Sequence, residues 1–265
     1  MCLIVFSWQP DADTPLVLLA NRDEFFERAA EPMHWWHDRP DVLAGRDLRG
    51  GGTWMGINRA GRFAALTNFR DGRAPKAPND APSRGLLVTA MLDATPFDAD
   101  LDRVETYAHD YAGFNLLAGD LPGGKLFWLG NRETPGLPVA HPIEPGVHGL
   151  SNALLDTPWP KLVSRRDALS AAIATEADDA TLLRLMRDNI EAPDDALPET
   201  GVPHSWEKTL SAAFIASPAY GTRCTTLLRY HRNGTVELTE STVSPGQPAS
   251  ELLDIRRYRF EIARS

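Results

Sequence analysis

Residues 2–20 of the 265-residue chain read CLIVFSWQPDADTPLVLLA, and this stretch determines the fold class that we expect. An apolar, β-rich run, Cys2 to Trp8, is followed by a turn-prone segment and a second apolar run, Leu16 to Ala20. Such a pattern predicts a β-hairpin. Because both runs are almost continuously apolar, we expect both faces of the hairpin to be covered, as in layered sheets and helices.

The remaining chain alternates between hairpin and helix patterns. No shift in composition and no internal repeat divides it, so residues 1–265 are predicted to form a single α+β domain with helices packed outside antiparallel sheets. Two segments, 31–52 and 194–204, are interpreted as a connection and an exposed loop. Further hairpins are predicted at 53–68 and 114–129, helices at 83–92, 98–108, 159–174 and 180–190, and strands at 147–152, 224–230, 235–240 and 255–262.

Composition narrows the class of partner. The net charge of -9 disfavours binding to nucleic acid or to anionic lipid surfaces. No apolar run approaches the length of a spanning helix, and Met1–Phe6 lacks the basic residues of an export signal. We therefore expect a cytoplasmic protein whose partner is a small molecule.

Two cysteines do not indicate a disulfide framework, and Cys224, which begins a β-rich run, is predicted to be buried and inert.

Cys2 is the first candidate for chemistry. Removal of Met1 would place a thiol and a free α-amine on the same residue, and the small side chain at position 2 permits that removal. An α-amine titrates near neutral pH, so it can take the thiol proton and make Cys2 both nucleophile and base. The alternative is that Cys2 is simply a small apolar residue in a buried strand.

Four polar residues, Asn21 to Glu24, follow the second apolar run. A hairpin returns the end of its second strand to the start of its first, so this quartet should lie near Cys2. Arg22 would then favour the thiolate, and Asp23 would hold or orient the amine. The alternative is a salt-bridged surface turn.

Asparagines at strand ends can supply the fixed donors that an oxyanion needs. Asn68 and Asn152 are the two candidates, with turn capping as the alternative for each. Arg223 precedes a predicted strand and can bind a substrate carboxylate with two parallel hydrogen bonds, although an ordinary strand-edge arginine is the other interpretation.

The segment His34-Trp35-Trp36-His37 offers aromatic walls and an axial ligand to haem. Ordinary packing is the alternative explanation. No third ligand with zinc-like spacing accompanies the two histidines, so no metal site is predicted.

Six ordered motifs resemble the Asn-Arg-Asp-Glu family, the transport and Golgi organisation protein type. The resemblance runs from residue 1 to about residue 225. The motifs are Met1-Cys2-Leu3-Ile4, Asn21-Arg22-Asp23-Glu24, Ala44-Gly45-Arg46-Asp47 with Gly51-Gly52-Thr53-Trp54-Met55-Gly56, Leu66-Thr67-Asn68-Phe69-Arg70, Leu150-Ser151-Asn152, and Tyr220-Gly221-Thr222-Arg223.

More distantly, the layout is similar to N-terminal nucleophile hydrolases of the choloylglycine hydrolase and penicillin V acylase type. That resemblance implies a four-layer αββα sandwich with Cys2 as nucleophile. It further implies that Arg22 and Asp23 correspond to the group's early arginine and aspartate. The group's two oxyanion-binding asparagines correspond to Asn68 and Asn152, and its late arginine to Arg223. Arg22 and Asp23 are adjacent here, whereas that group usually separates the two. Both can face Cys2 only if the backbone turns, because neighbours on a strand point to opposite sides.

The resemblance implies two functions. One is a cysteine-dependent amidase or acylase, which needs no cofactor. The other is a carrier of haem or another hydrophobic ligand on the same scaffold, in keeping with an implied role in haem trafficking and in lipid or acyl-CoA homeostasis.

Overall fold

Two antiparallel β-sheets form the centre of the computed structural model, which describes residues 2–74, 81–93, 96–133 and 138–262. The strands are β1 (Cys2–Trp8), β2 (Leu16–Phe25), β3 (Ala30–Trp35), β4 (Val42–Asp47), β5 (Met55–Asn58), β6 (Arg62–Asn68), β7 (Phe114–Asp120), β8 (Lys125–Gly130), β9 (His141–Pro142), β10 (Gly146–Leu150), β11 (Tyr220–Tyr230), β12 (Thr235–Thr242) and β13 (Ile255–Glu261). The helices are α1 (Gly85–Met91), α2 (Phe97–Tyr107), α3 (Pro160–Ala174), α4 (Asp179–Leu185) and α5 (His204–Thr209).

In the described residues the first sheet has six strands in the order β10-β1-β2-β11-β12-β13. The second sheet has seven, in sequential order from β3 to β9. Neighbouring strands of the second sheet are consecutive along the chain, although residues 69–113, which include α1 and α2, separate β6 from β7. The first sheet instead brings strands from both ends of the chain together. The start of β1 therefore lies in the middle of a sheet, next to β2 and near β11.

The alternation of side chains along β1 explains the four layers. Ile4 and Phe6 pack into a core shared with Phe63 and Leu117 of the second sheet. Leu3 and Val5 point the other way, into a core formed with α3 and α4, and α1 and α2 cover the second sheet. The arrangement is a four-layer αββα sandwich, as predicted. The expectation that both faces of the first hairpin are covered is confirmed.

Two connections carry structure that the sequence patterns did not predict. Residues 31–52, interpreted as a connection, contain most of the β3–β4 hairpin. Pro32 obscured the strand pattern, and it is tolerated because β3 is the edge strand of its sheet. The 194–204 segment contains a 3₁₀ turn at Asp194–Ala196 and the first residue of α5. Helix α4 ends at Leu185, short of the predicted residue 190.

Strand β2 extends to Phe25, so the Asn21–Glu24 quartet lies within the strand rather than after it. Its pairing with β1 places Cys2 directly opposite Arg22, which confirms the predicted proximity. No helix in the described parts of the chain is both long and apolar enough to cross a membrane.

Candidate functional site

A cavity of about 480 Å³ opens where β1 begins and β2 ends. Cys2, Arg22, Asp23 and Asn68 line it, so four of the six predicted site residues meet at one place. Its remaining wall comes from the end of β4, the segment before β5 and the start of α1, which contribute Asp47, Trp54 and Arg84. The cavity thus joins the ends of both sheets.

Cys2 is half-buried and is not disulfide-bonded. Burial raises the pKa of the Cys2 thiol above its ordinary value, and the negative charge of Asp23 adds to this effect. The Arg22 guanidinium and a hydrogen bond from the backbone N–H of Asp23 act in the opposite direction, favouring the thiolate. The net direction is upward, because burial is the largest of these contributions.

Arg22 is only 5% exposed, yet it forms no salt bridge with any described residue. Its guanidinium lies 4.2 Å from the centroid of the Trp54 ring, on the face of the first sheet that also carries Cys2. Stacking on an aromatic ring holds an arginine in place without neutralising it. The positive charge of Arg22 is consequently available to the cavity.

Asp23 points to the opposite face of β2, toward α3. Its Oδ1 accepts a hydrogen bond from Thr222 Oγ1 at 2.8 Å. Burial raises the pKa of Asp23, whereas the charge of Lys161 and the Thr222 hydrogen bond lower it. Asp23 still lines the cavity, near the point where the β2–β11 register shifts between Thr222 and Cys224.

Lys161, in the first turn of α3, had no signal in the sequence beyond its place in an amphipathic helix. It is buried, and its Nζ donates to the carbonyl of Leu210 at 2.8 Å. Burial lowers the pKa of Lys161 to about 8, and the Asp23 carboxylate partly opposes this shift. A buried lysine with a lowered pKa is able to exchange a proton near neutral pH.

Asn68 and Asn152 lie next to each other, but only Asn68 lines the cavity. Asn68 lines the cavity, whereas Asn152 is fully buried and its Nδ2 donates to the backbone carbonyl of Asn68 at 2.9 Å. Behind them, Arg70 donates to Asn152 Oδ1 at 3.3 Å and to Glu207 Oε2 at 2.8 Å. Arg70 lies in one of the quoted motifs, but its partner Glu207 lies in a helix that the sequence patterns missed.

Arg223 is not brought to the cavity that holds Cys2. Its Nη1 donates to the backbone carbonyls of Phe25 and Arg28, at 2.8 and 2.9 Å. Cys224, the next residue, is buried as expected, and burial raises the pKa of its thiol well above the ordinary value.

The four residues from His34 to His37 do not share one surface. Trp35 packs edge-on against Phe260, whereas Trp36 is buried on the other side of the strand and donates to the carbonyl of Ala44. His34 hydrogen bonds to the carbonyl of Pro32, and His37 is exposed. The haem alternative remains a prediction. Among the described residues, no group of three or more His, Cys, Asp or Glu side chains is arranged to hold a metal ion.

Comparisons with known proteins agree with the quoted motifs. A family model described as Transport and Golgi organisation 2 matches residues 1–245. The Mus musculus Transport and Golgi organization 2 homolog is 34% identical over 266 residues, which cover 92% of this chain and 93% of the mouse protein. The corresponding Homo sapiens protein gives the same identity and coverage. A mutant conjugated bile acid hydrolase from Clostridium perfringens is similar in structure, with 10% identity, a TM-score of 0.48 and coverage of 100% of this chain and 98% of that chain.

Proposed function

The chain belongs to the Transport and Golgi organisation 2 family, as its motifs predicted, and we propose that it is an N-terminal cysteine hydrolase. Its reaction would cleave an amide or acyl bond of a small molecule. The observation that carries the proposal is that Cys2 opens onto a cavity beside Arg22, a buried arginine that forms no salt bridge with any described residue. A thiol with an adjacent cation is typical of reactive cysteines.

The reaction begins once Met1 has been removed. The free α-amine of Cys2 takes the thiol proton, and the sulfur attacks the carbonyl carbon of the substrate. Asn68 supplies an amide donor to the oxyanion, while Asn152 holds the Asn68 backbone through their 2.9 Å hydrogen bond. As the tetrahedral intermediate collapses, the bond to the leaving group breaks and the α-ammonium returns the proton to that group.

A thioester between the acyl group and Cys2 remains. Water then attacks its carbonyl carbon, giving up a proton to the α-amine, and the C–S bond breaks to release the acid and restore the thiol. Asp23 lies within electrostatic reach of the Cys2 thiol and is held by Thr222, so its carboxylate is suited to orient the α-ammonium. We assign Arg223 only an indirect part, through the Phe25 and Arg28 carbonyls that it binds.

The charge of the cavity wall favours a substrate with an anionic group. Four arginines line the cavity together with three acidic residues, Asp23, Glu24 and Asp47. One of the arginines, Arg28, is bound to Asp47 at 2.7 Å and lies 3.9 Å from Glu24. The other three, Arg22, Arg49 and Arg84, form no salt bridge with any residue in the described parts of the chain. Arg84 is instead fixed by a hydrogen bond to the carbonyl of Gly113. Such guanidinium groups bind carboxylates and phosphates well.

Mass spectrometry and turnover test the proposal together. We expect intact mass to show loss of Met1, and N-acyl amino acids to be hydrolysed faster than the matching uncharged N-acyl amides. The Cys2→Ala variant should lose this activity, whereas Cys224→Ala, the matched change at the other cysteine, should retain it. Retention of Met1, together with no acyl adduct on Cys2 and equal turnover by Cys2→Ala, would overturn the proposal.

A further inference from the structure

A row of polar side chains crosses the first sheet at Arg22. The strand registers place Cys2 opposite Arg22, Arg22 opposite Cys224, and Cys224 opposite Thr242. Residues paired across antiparallel strands lie on the same face of a sheet, with neighbouring side chains about 5 Å apart. The row therefore leads from the Cys2 cavity into the space between the two sheets.

A second, inner cavity of about 40 Å³ lies along this row, on the other side of Arg22. Arg22 and Trp54 line both cavities, so their stack separates one from the other. Cys224, Glu240 and Thr242 form part of the inner wall. Arg22 therefore borders both the Cys2 cavity and the inner cavity.

Two buried oxygen atoms of that wall lack a hydrogen-bond partner among the described residues. They are Glu240 Oε2 and Thr242 Oγ1. Glu240 is only 1% exposed, and its other carboxylate oxygen accepts the backbone N–H of Met33 at 2.7 Å, across the gap between the sheets. The Cys224 thiol also forms a hydrogen bond with the Glu240 carboxyl group, but a thiol is a weak donor. The two oxygens, Glu240 Oε2 and Thr242 Oγ1, are better satisfied by a small molecule that hydrogen bonds to both.

We propose that the inner cavity binds a fixed water molecule that donates to Glu240 Oε2, hydrogen bonds to Thr242 Oγ1 and accepts from the Arg22 guanidinium. A buried water needs roughly 10–15 Å³ and two to four polar partners, and the inner cavity offers both. Two arginines, Arg22 and Arg223, and two acidic residues, Glu31 and Glu240, line the inner cavity, so its wall favours neither a lone cation nor a lone anion.

The water makes Glu240 and Thr242 positioning residues for Arg22. Trp54 fixes one flat side of the guanidinium, and the water fixes it from behind. The remaining N–H groups are then directed toward Cys2. This inference concerns binding and orientation, so it stands independently of whether Cys2 hydrolyses a substrate.

The orientation of Arg22 is measured by alkylating Cys2 with iodoacetate and with iodoacetamide. Both reagents form the same S–C bond and release iodide, but only iodoacetate is negatively charged. The rate with iodoacetate divided by the rate with iodoacetamide therefore reports the positive charge presented at Cys2. Peptide mass spectrometry assigns each label to Cys2 or to Cys224.

Thr242→Val removes one partner of the water without changing charge, and we expect the rate ratio to fall about fivefold, the equivalent of one hydrogen bond. Thr242→Ser restores the hydroxyl and should restore the ratio. The matched control is Thr239→Val, a buried change on the same strand but off the inner-cavity wall, which should leave the ratio unchanged. Arg22→Met removes the guanidinium and should give the lowest rate ratio of these variants.

A high-resolution crystal structure of the wild-type protein provides a second measurement that depends on no variant. It should show density for a water within hydrogen-bond distance of Glu240 Oε2 and Thr242 Oγ1. An inner cavity without that density overturns the inference. So does a ratio that Thr242→Val leaves unchanged, one that Thr239→Val lowers equally, or one that Arg22→Met fails to lower.

Discussion

Replacing Glu207 by glutamine should destabilise the protein strongly, because the change removes the carboxylate that neutralises Arg70 in the interior. The two side chains are 5% and 3% exposed, and their charged atoms are 2.8 Å apart. Burial lowers the pKa of Arg70 and the Glu207 carboxylate opposes that shift, but a guanidinium cannot discard its charge under ordinary conditions. Glutamine keeps an oxygen that can accept the backbone N–H of Thr200. The substitution therefore removes the charge and, because the glutamine NH2 group then faces Arg70, one hydrogen-bond acceptor.

Breaking a buried ion pair by removing one partner typically costs about 3–5 kcal/mol. Arg70 keeps its hydrogen bond to Asn152 and its stacking on the Trp159 ring, 4.7 Å from the centroid, so the lower end applies. We expect Glu207→Gln to lower the free energy of unfolding by about 3 kcal/mol. The double variant with Arg70→Met should cost less than the two single changes added together, since no unpaired charge remains.

Urea unfolding followed by circular dichroism measures these differences. Lys125 and Asp98 provide a matched control, because their charged atoms are also 2.8 Å apart but the side chains are 41% and 70% exposed. Asp98→Asn should cost less than about 1 kcal/mol. A cost for Glu207→Gln no larger than that of Asp98→Asn, or a double variant equal to the sum of its parts, would refute the argument that burial sets the strength of this pair.

Three further changes test other parts of the structure by unfolding measurements. Lys161→Met should remove a pH dependence of the free energy of unfolding. The pKa of Lys161 is about 8 in the folded chain and 10.5 in the unfolded chain, so the unfolded state binds more protons between these values. The free energy of unfolding of the wild type should therefore rise by roughly 2 kcal/mol relative to that of the variant between about pH 7.5 and pH 10. A difference that does not change with pH would contradict this. The hydrogen bond to Asp156 raises the pKa of His148, so the pair stabilises the protein below about pH 6.5 and loses its effect as the pH rises through the folded pKa. Asp156→Asn should cost more at pH 5.5 than at pH 8.5, and equal costs would count against it. Gly52→Ala should cost more than about 2 kcal/mol, because its Cβ would lie 2.4 Å from the backbone carbonyl of Gly85, and a smaller cost would mean that the cavity wall can shift.

The first hairpin shows how much of the fold can be predicted from a short apolar stretch of sequence. Strand β1 begins and ends where the pattern predicted, because two nearly continuous apolar runs around a turn have few other ways to bury their side chains. The coverage of both faces followed from the same observation. The Asn21–Glu24 quartet could be placed near Cys2 for a geometric reason, since a hairpin returns the end of its second strand to the start of its first; the exact pairing of Cys2 with Arg22 came from the structure.

The residues that sequence reasoning missed are those whose partners come from distant elements. Lys161 is unremarkable in its helix, and its lowered pKa comes from burial in the folded chain, which also brings the Asp23 carboxylate near it. Glu207 likewise acquires its role from Arg70, 137 positions away along the chain. Periodicity describes which face of an element is buried, but it contains no information about which polar residue of another element will meet that face.

The adjacency of Arg22 and Asp23, a departure from the hydrolase pattern, has a structural explanation in the alternation of side chains along β2. Asn21 and Asp23 point toward the helices, where Asn21 donates to the carbonyls of Met186 and Ala213. Arg22 points toward the second sheet, beside Cys2. The quartet therefore serves both faces of one strand: two residues tie the helical layer to the sheet, and a third carries charge into the cavity. A register slip of a single residue would exchange the two sets and bury Arg22 among the helices, so the apolar pairing that fixes the hairpin also fixes the chemistry available at Cys2.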